Sequence, residues 1–152
     1  MRILGYLESA TIEAGIMILM LEDNLDRIER FTKSVDLIDS SLRLIIWRNA
    51  KTMIKEVKNF LPVARLISLD HDLEPEIGEV DDPGDGYEVS KFLAVLRPIC
   101  PVIIHSSNRT RSDWMIGEFD LGGWDTKRVA PIGDDWIESY WQVIAKDLLG
   151  NK

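Results

Sequence analysis

Two rhythms of apolar residues alternate along this chain. Ile16 to Leu21 is an unbroken apolar run that ends in Glu22, Asp23 and Asn24. A strand buried on both faces of a parallel sheet has this look, because neither side of it meets water before the sheet edge. Leu25, Ile28, Phe31 and Val35 then recur at helical spacing, with Arg27 and Arg30 on other faces and Asn24 or Asp26 as the cap. The unit repeats: Leu42 to Trp47 predicts a strand, and Met53, Ile54, Val57 and Leu61 predict a helix that Pro62 ends. Ala64 to Leu69 predicts a third strand, which runs into Asp70, His71 and Asp72 and then a loop from Glu74 to Gly86. Tyr87 to Leu96 reads as a helix and Val102 to Ile104 as a short strand ending in His105, Ser106, Ser107 and Asn108. Across 109–125, Trp114, Met115 and Phe119 favour a helix while Gly117, Gly122 and Gly123 weaken it. Arg128 to Ile132 predicts the last strand. Trp136, Ile137, Tyr140, Trp141, Ile144 and Leu148 stripe a closing helix capped by Asp134 or Asp135. Residues 1–15 have no clear period and read as an appendage, with a short helix as one reading; 16–150 read as one domain.

Alternation of strand and helix implies right-handed crossovers, helices on both faces of a doubly wound, five-stranded parallel sheet, and a ligand site beyond the carboxyl ends of the strands. With 152 residues and 45% hydrophobic residues the chain is sized for one core. A formal charge of −8 disfavours general binding to polyphosphate backbones. The single cysteine, Cys100, excludes a disulfide framework or a cysteine-rich zinc site. No apolar run reaches the ~20 residues of a membrane span, and no secretory leader is visible, so the expectation is a cytoplasmic protein without membrane contact.

The strand ends carry the chemistry. Glu22 and Asp23, then Asp70 and Asp72, then Ser106 and Ser107 are delivered to one sheet edge by three separate strands. Clustered carboxylates raise one another's pKa unless a cation neutralises them, and an all-oxygen set suits a hard ion such as Mg²⁺. Each part also has a plainer reading. Glu22, Asp23 and Asp26 serve equally as helix caps, Asp70 and Asp72 as turn formers, His71 as a solvated loop histidine, and the serines as partners of backbone groups at a strand end. Tryptophans 114, 124, 136 and 141 read as core, or else as an interface.

The stretches ILMLEDN, LISLDHDL and PVIIHSSN resemble the first, third and fourth strands of the response-regulator receiver (CheY-like) domain, and GDGYEV resembles the turn before its third helix. The resemblance spans roughly residues 16–150 and implies a flavodoxin-like fold. It implies Mg²⁺ on Glu22, Asp23 and Asp70, Asp70 as phosphoacceptor, and Ser106 against a phosphoryl oxygen. The family's lysine before proline at the end of strand five is replaced by Ala130 before Pro131. Lys127, Arg128 or Arg109 are the candidates to stand in for it.

Asp70-His71-Asp72 and His105-Ser106-Ser107-Asn108, followed by Arg109 and Arg111, are more similar to the cyclic-phosphate-processing receiver-like branch. That likeness implies His71 or His105 as general acid or base and Ser107, Asn108 and an arginine such as Arg109 around the phosphate. The partner would be a phosphate-bearing small molecule, an RNA end or a phosphodonor protein. Two alternatives stand beside it. One is a degenerate single-domain receiver used as a protein-interaction module. The other is a haloacid-dehalogenase-like phosphatase with Asp70-His71-Asp72 as nucleophile and acid and Gly133-Asp134-Asp135 as a late motif.

Overall fold

The computed structural model describes residues 2–3, 16–75 and 77–150. In chain order they form β1 (Arg2–Ile3), β2 (Met17–Leu21), α1 (Leu25–Ile38), β3 (Arg43–Trp47), α2 (Ala50–Glu56), β4 (Ala64–Leu69), α3 (Gly86–Ala94), β5 (Val102–Ile104), α4 (Arg109–Leu121), β6 (Thr126–Arg128) and α5 (Gln142–Gly150). The five expected strands make one parallel sheet in the order β3-β2-β4-β5-β6, and Arg2–Ile3 extends its edge by pairing with Ile45 and Ile46 of β3. The short helix considered for 1–15 otherwise lies outside the described residues.

Alternation within each strand sorts the core into two layers, because successive side chains point to opposite faces of a sheet. Leu19, Leu21, Ile45, Trp47, Ile67, Leu69 and Ile104 pack toward α2, α3 and α4. Ile18, Met20, Leu44, Ile46, Leu66 and Ile103 pack toward α1 and the closing helix, where Phe31, Trp136, Ile137 and Trp141 meet them. Every residue of β2 is fully buried, as its unbroken apolar run predicts. Trp124, Trp136 and Trp141 are core residues, whereas Trp114 is 45% exposed.

Several boundaries differ from the sequence pattern. Leu25 begins α1 but is exposed, because the apolar stripe proper starts at Ile28. The helical spacing through Val57 and Leu61 is carried by two 3₁₀ turns, Val57–Asn59 and Leu61–Val63, so α2 ends at Glu56 and Pro62 sits inside the second turn. In 109–125 a helix forms through Leu121 despite Gly117, capped by the Asn108 side chain on the Arg111 N–H. The last strand is Thr126–Arg128 rather than Arg128–Ile132, because it pairs only with the three residues of β5. Beyond it Pro131 offers no N–H and Ile132 folds back on the Ala130 carbonyl. Neither Asp134 nor Asp135 caps the closing helix through its side chain. That helix opens as a π-helical turn, Ile137–Trp141, with Trp136 in the cap position and the Asp135 carbonyl taking both the N–H and the hydroxyl of Ser139.

Among the described residues no helix is long and apolar enough to cross a membrane.

Candidate functional site

Parallel register brings the three polar strand ends together. Asp70 N–H donates to the Leu21 carbonyl and His105 N–H to the Leu69 carbonyl, so Glu22, Asp70 and His105 emerge side by side from β2, β4 and β5. One ligand atom of each lies within 4.8 Å of the others, and all three residues are buried. Beside them opens a cavity of about 540 Å³ lined by Asp23, Arg27, Asp70, Asp72, Glu74 and Ser107, among others.

Glu22 is fully buried, and both of its oxygens are engaged. Oε2 accepts the N–H groups of Asp23 (3.1 Å) and Asn24 (3.0 Å), and Oε1 lies 3.1 Å from His105 Nε2. Burial alone would raise its pKa, but the His105 hydrogen bond and charge, the Asn24 N–H and Arg27 together hold it below the ordinary value. Asp70 has less help. Burial first, and the charge of Glu22 second, push its carboxyl up to about 8 against the opposing pull of the His71 N–H and of Arg27. Its Oδ1 accepts the His71 N–H at 2.7 Å, which leaves Oδ2 toward Arg27 at 3.7 Å. Asp23 is half-buried and its pKa is raised, chiefly by burial, although its Oδ2 accepts the Glu74 N–H and ties the acidic loop to the site.

His105 is the centre of a buried relay. The indole N–H of Trp141 donates to Ser68 Oγ (3.0 Å), and Ser68 Oγ lies 2.7 Å from His105 Nδ1. Indole nitrogen only donates, so the serine hydroxyl proton is free to point at Nδ1. Glu22 Oε1, which as a carboxylate oxygen only accepts, takes the hydrogen bond of a protonated Nε2 on the other side of the ring. Phe31 and Trp136 enclose the imidazole, with ring centroids 5.0 Å and 6.1 Å away. With no exposure and both nitrogens occupied, this ring faces Glu22 and not the cavity.

His71 is buried rather than solvated. Its Nδ1 meets Asp72 Oδ1 at 2.7 Å, and among the described residues its Nε2 has no hydrogen-bond partner, with Asp85 Oδ2 3.7 Å away. Asp72, 63% exposed at its side chain, stands in the cavity wall with His71 behind it. Gly86 makes this packing possible. A Cβ there would collide with the Asp70 carbonyl oxygen and come within 2.8 Å of the His71 Cα, while the Gly86 N–H donates to the His71 carbonyl at 2.9 Å.

After strand five, Ser106 is buried and its hydroxyl takes the Asn108 N–H (3.1 Å), so Ser107 is the serine that lines the cavity. Asn108 is spent on capping α4, and Arg109 is exposed and outside the cavity wall. Arg128 donates to the Ser106 carbonyl at 3.0 Å, and Lys127 is exposed. Among the described residues the cation in the cavity wall is Arg27, which the helical spacing had turned to another face. Its position in the first turn of α1 opposes the helix dipole, and that mismatch is the signal the sequence offered. Ser68 had a comparable signal, as a polar residue between Ile67 and Leu69 in a strand whose only other polar residue is Arg65.

The profile of the family described as the Cyclic-phosphate processing Receiver domain matches residues 17–120. The chain belongs to this family. Among solved structures this receiver domain resembles the phosphorylated cyanobacterial phytochrome response regulator RcpA, with a TM-score of 0.65, 17% identity, and coverage of 91% of this chain and 97% of that one. It also resembles a receiver domain from Rhodospirillum rubrum, with a TM-score of 0.61, 15% identity, and coverage of 88% and 91%. The CheX-CheY-BeF3-Mg complex of Borrelia burgdorferi matches with a TM-score of 0.59, 14% identity, and coverage of 87% and 89%. Among curated proteins none matches. These likenesses establish the receiver fold.

The donor set fits a hard divalent cation. Asp70 is a buried carboxyl facing a second buried carboxylate with one distant guanidinium between them, and Asp23 and Asp72 add oxygen donors at the cavity. Gly133, Asp134 and Asp135, the late motif of a dehalogenase-like site, are not among its lining residues. Arg30 instead binds the Asp134 carbonyl at 2.7 Å.

Proposed function

We propose that this receiver domain processes cyclic phosphates, opening the ring of a nucleotide or RNA-terminal cyclic phosphate with Mg²⁺ held by Glu22, Asp23 and Asp70. The observation that carries the reading is the cavity of about 540 Å³ at the strand ends, which Asp70, Asp72, Ser107 and Arg27 line together. The family description supports the substrate class. Bound Mg²⁺ would draw charge from the phosphoryl oxygens and organise water.

The chain's own residues have distinct parts. Water adds to phosphorus, one of the two ring P–O bonds breaks, and the released oxygen takes a proton, so a monoester forms with no other reactant. Asp70 stands at the reacting centre and Asp72 beside it, with His71 holding the Asp72 carboxylate at 2.7 Å. Ser107 offers a hydroxyl to a phosphoryl oxygen. His105 orients Glu22 from behind and touches no substrate.

The test is phosphorus NMR of a nucleoside 2′,3′-cyclic phosphate incubated with the protein and Mg²⁺. Conversion of the cyclic resonance to a monoester, absent in Asp70→Asn, supports the reading; an unchanged spectrum defeats it. A second reading rests on the likeness to a phosphorylated receiver: Asp70 accepts a phosphoryl group from a phosphodonor protein or a small acyl phosphate, and the domain signals to a partner. Mass gain at Asp70 after treatment with acetyl phosphate, with no turnover of cyclic phosphate, selects it.

A further inference from the structure

We propose that Arg27, projecting from the first turn of α1, is the phosphate-binding cation of this site. The proposal rests on the phosphate reading above and adds the residue that would grip the anion. Strand six ends in Arg128 and leads to Ala130-Pro131, so no lysine enters the site from there. Arg128 is half-buried and turned to the Ser106 carbonyl. The positive charge reaches the cavity from the opposite side of the sheet edge instead.

Arg27 is placed for this, loosely paired with two carboxylates and hydrogen-bonded to neither. Its Nη1 is 3.7 Å from Asp70 Oδ2 and 3.8 Å from Glu22 Oε1, both beyond hydrogen-bond distance. Among the described residues its guanidinium makes no hydrogen bond, so its donor fork remains available to an incoming oxyanion. The guanidinium carbon lies 5.3 Å from the centre of the Trp136 ring. That buried indole holds the side chain over the cavity without consuming its N–H groups, since a cation on an aromatic face is attracted to the ring's electrons. The side chain is 29% exposed, so solvent and ligand both reach it. A guanidinium also matches two oxygens of a phosphate at once, which an ammonium does not.

The same position makes Arg27 a competitor of any cation on Glu22 and Asp70. Removing it should therefore lower phosphate affinity without lowering Mg²⁺ affinity, which general damage to the fold would not do. Calorimetric titrations with Mg²⁺ alone, and with inorganic phosphate at saturating Mg²⁺, separate them. Arg27→Met is expected to lose phosphate affinity by about 10- to 100-fold, as loss of a charge-assisted contact implies, and to bind Mg²⁺ as tightly as the native chain or more tightly. Arg27→Lys retains the charge without the fork and should fall between. Trp136 fluorescence should change with phosphate in the native protein and not in Arg27→Met.

Phosphate affinity unchanged in a folded Arg27→Met overturns the proposal. Should that variant unfold, phosphate affinity unchanged in Arg27→Lys together with a silent Trp136 signal in the native chain overturns it equally. If the native chain binds Mg²⁺ but no phosphate, the phosphate reading itself fails, and this inference with it.

Discussion

His105 Nε2 and Glu22 Oε1, 83 residues apart in sequence, stand 3.1 Å from each other with neither side chain exposed to solvent. A buried carboxylate is tolerated only where donors surround it, and here the donors are two backbone N–H groups and one imidazole. The imidazole is itself fixed from behind by Ser68 and Trp141. The geometry of Glu22 is thus decided one and two residues away from it, as outer partners commonly decide the orientation of a metal-binding carboxylate.

His105→Leu should leave Glu22 without its side-chain donor, cost about 3 kcal/mol or more of stability, and weaken Mg²⁺ binding about 10- to 100-fold. His105→Gln, whose amide reaches the place of Nε2, should restore much of both. Thermal melts and Mg²⁺ titrations check this; equal behaviour of the two variants would show that the ring matters only as packing.

Asp70 gives a pH prediction with a definite sign. Its folded pKa, pushed up to about 8, lies above that of an unfolded aspartate, so the folded chain binds the extra proton and stability falls as pH rises through the interval of roughly 4 to 8. In EDTA, Asp70→Asn should melt about 5 °C above the native chain at pH 8, corresponding to ~1–2 kcal/mol in a domain of this size. The gap should close toward pH 4, and Mg²⁺ should stabilise only the native chain. A variant less stable at pH 8 than at pH 5, relative to native, would refute the assignment.

Gly86→Ala is expected to be among the most damaging single-methyl additions in the chain. The new carbon would strike the Asp70 carbonyl, which belongs to backbone and has no rotamer to escape into. A loss of ~2–3 kcal/mol with weakened Mg²⁺ binding is expected, read by urea denaturation and titration; Gly117→Ala, with open space around it, is the control that should not destabilise.

The two serines after β5 should separate cleanly. Ser107→Ala removes a cavity-lining hydroxyl and should weaken phosphate or beryllofluoride binding several-fold with no change in melting temperature. Ser106→Ala removes the acceptor of the Asn108 N–H and should cost ~1 kcal/mol of stability. Anion titrations and melts of both variants provide the check, and the reverse pattern would place the phosphate against Ser106.

The strands and the acidic edge were legible because burial on both faces writes long apolar runs: Ile16 to Leu21 is unbroken, and Ala64 to Leu69 is interrupted only by Arg65 and Ser68. The boundaries that moved were set by partners in space. The last strand is as short as Val102–Ile104 allows, and the closing helix begins in a wide turn that no side-chain cap announces. The site was legible as a set of residues but not as a set of directions. Glu22 and Asp70 come together with His105 at the strand ends, and Asp23 lines the cavity beside them. Spacing alone could not reveal that His105 points inward, that Ser107 rather than Ser106 lines the cavity, or that Arg27 turns back over the strands. Those choices depend on parity within β5 and on aromatic rings contributed from the far end of the chain.

Trp141 gives the relay a meaning for the limits of the domain. The family signature matched here stops at residue 120, yet the indole that anchors Ser68, and the Trp136 ring beneath Arg27, both come after it. The smallest piece of this protein that keeps its acidic edge in order is therefore longer than the piece by which it is recognised. A fragment trimmed to the signature would lose more than a covering helix: the hydroxyl of Ser68 would lose its donor, the imidazole its tilt, and the first carboxylate its aim.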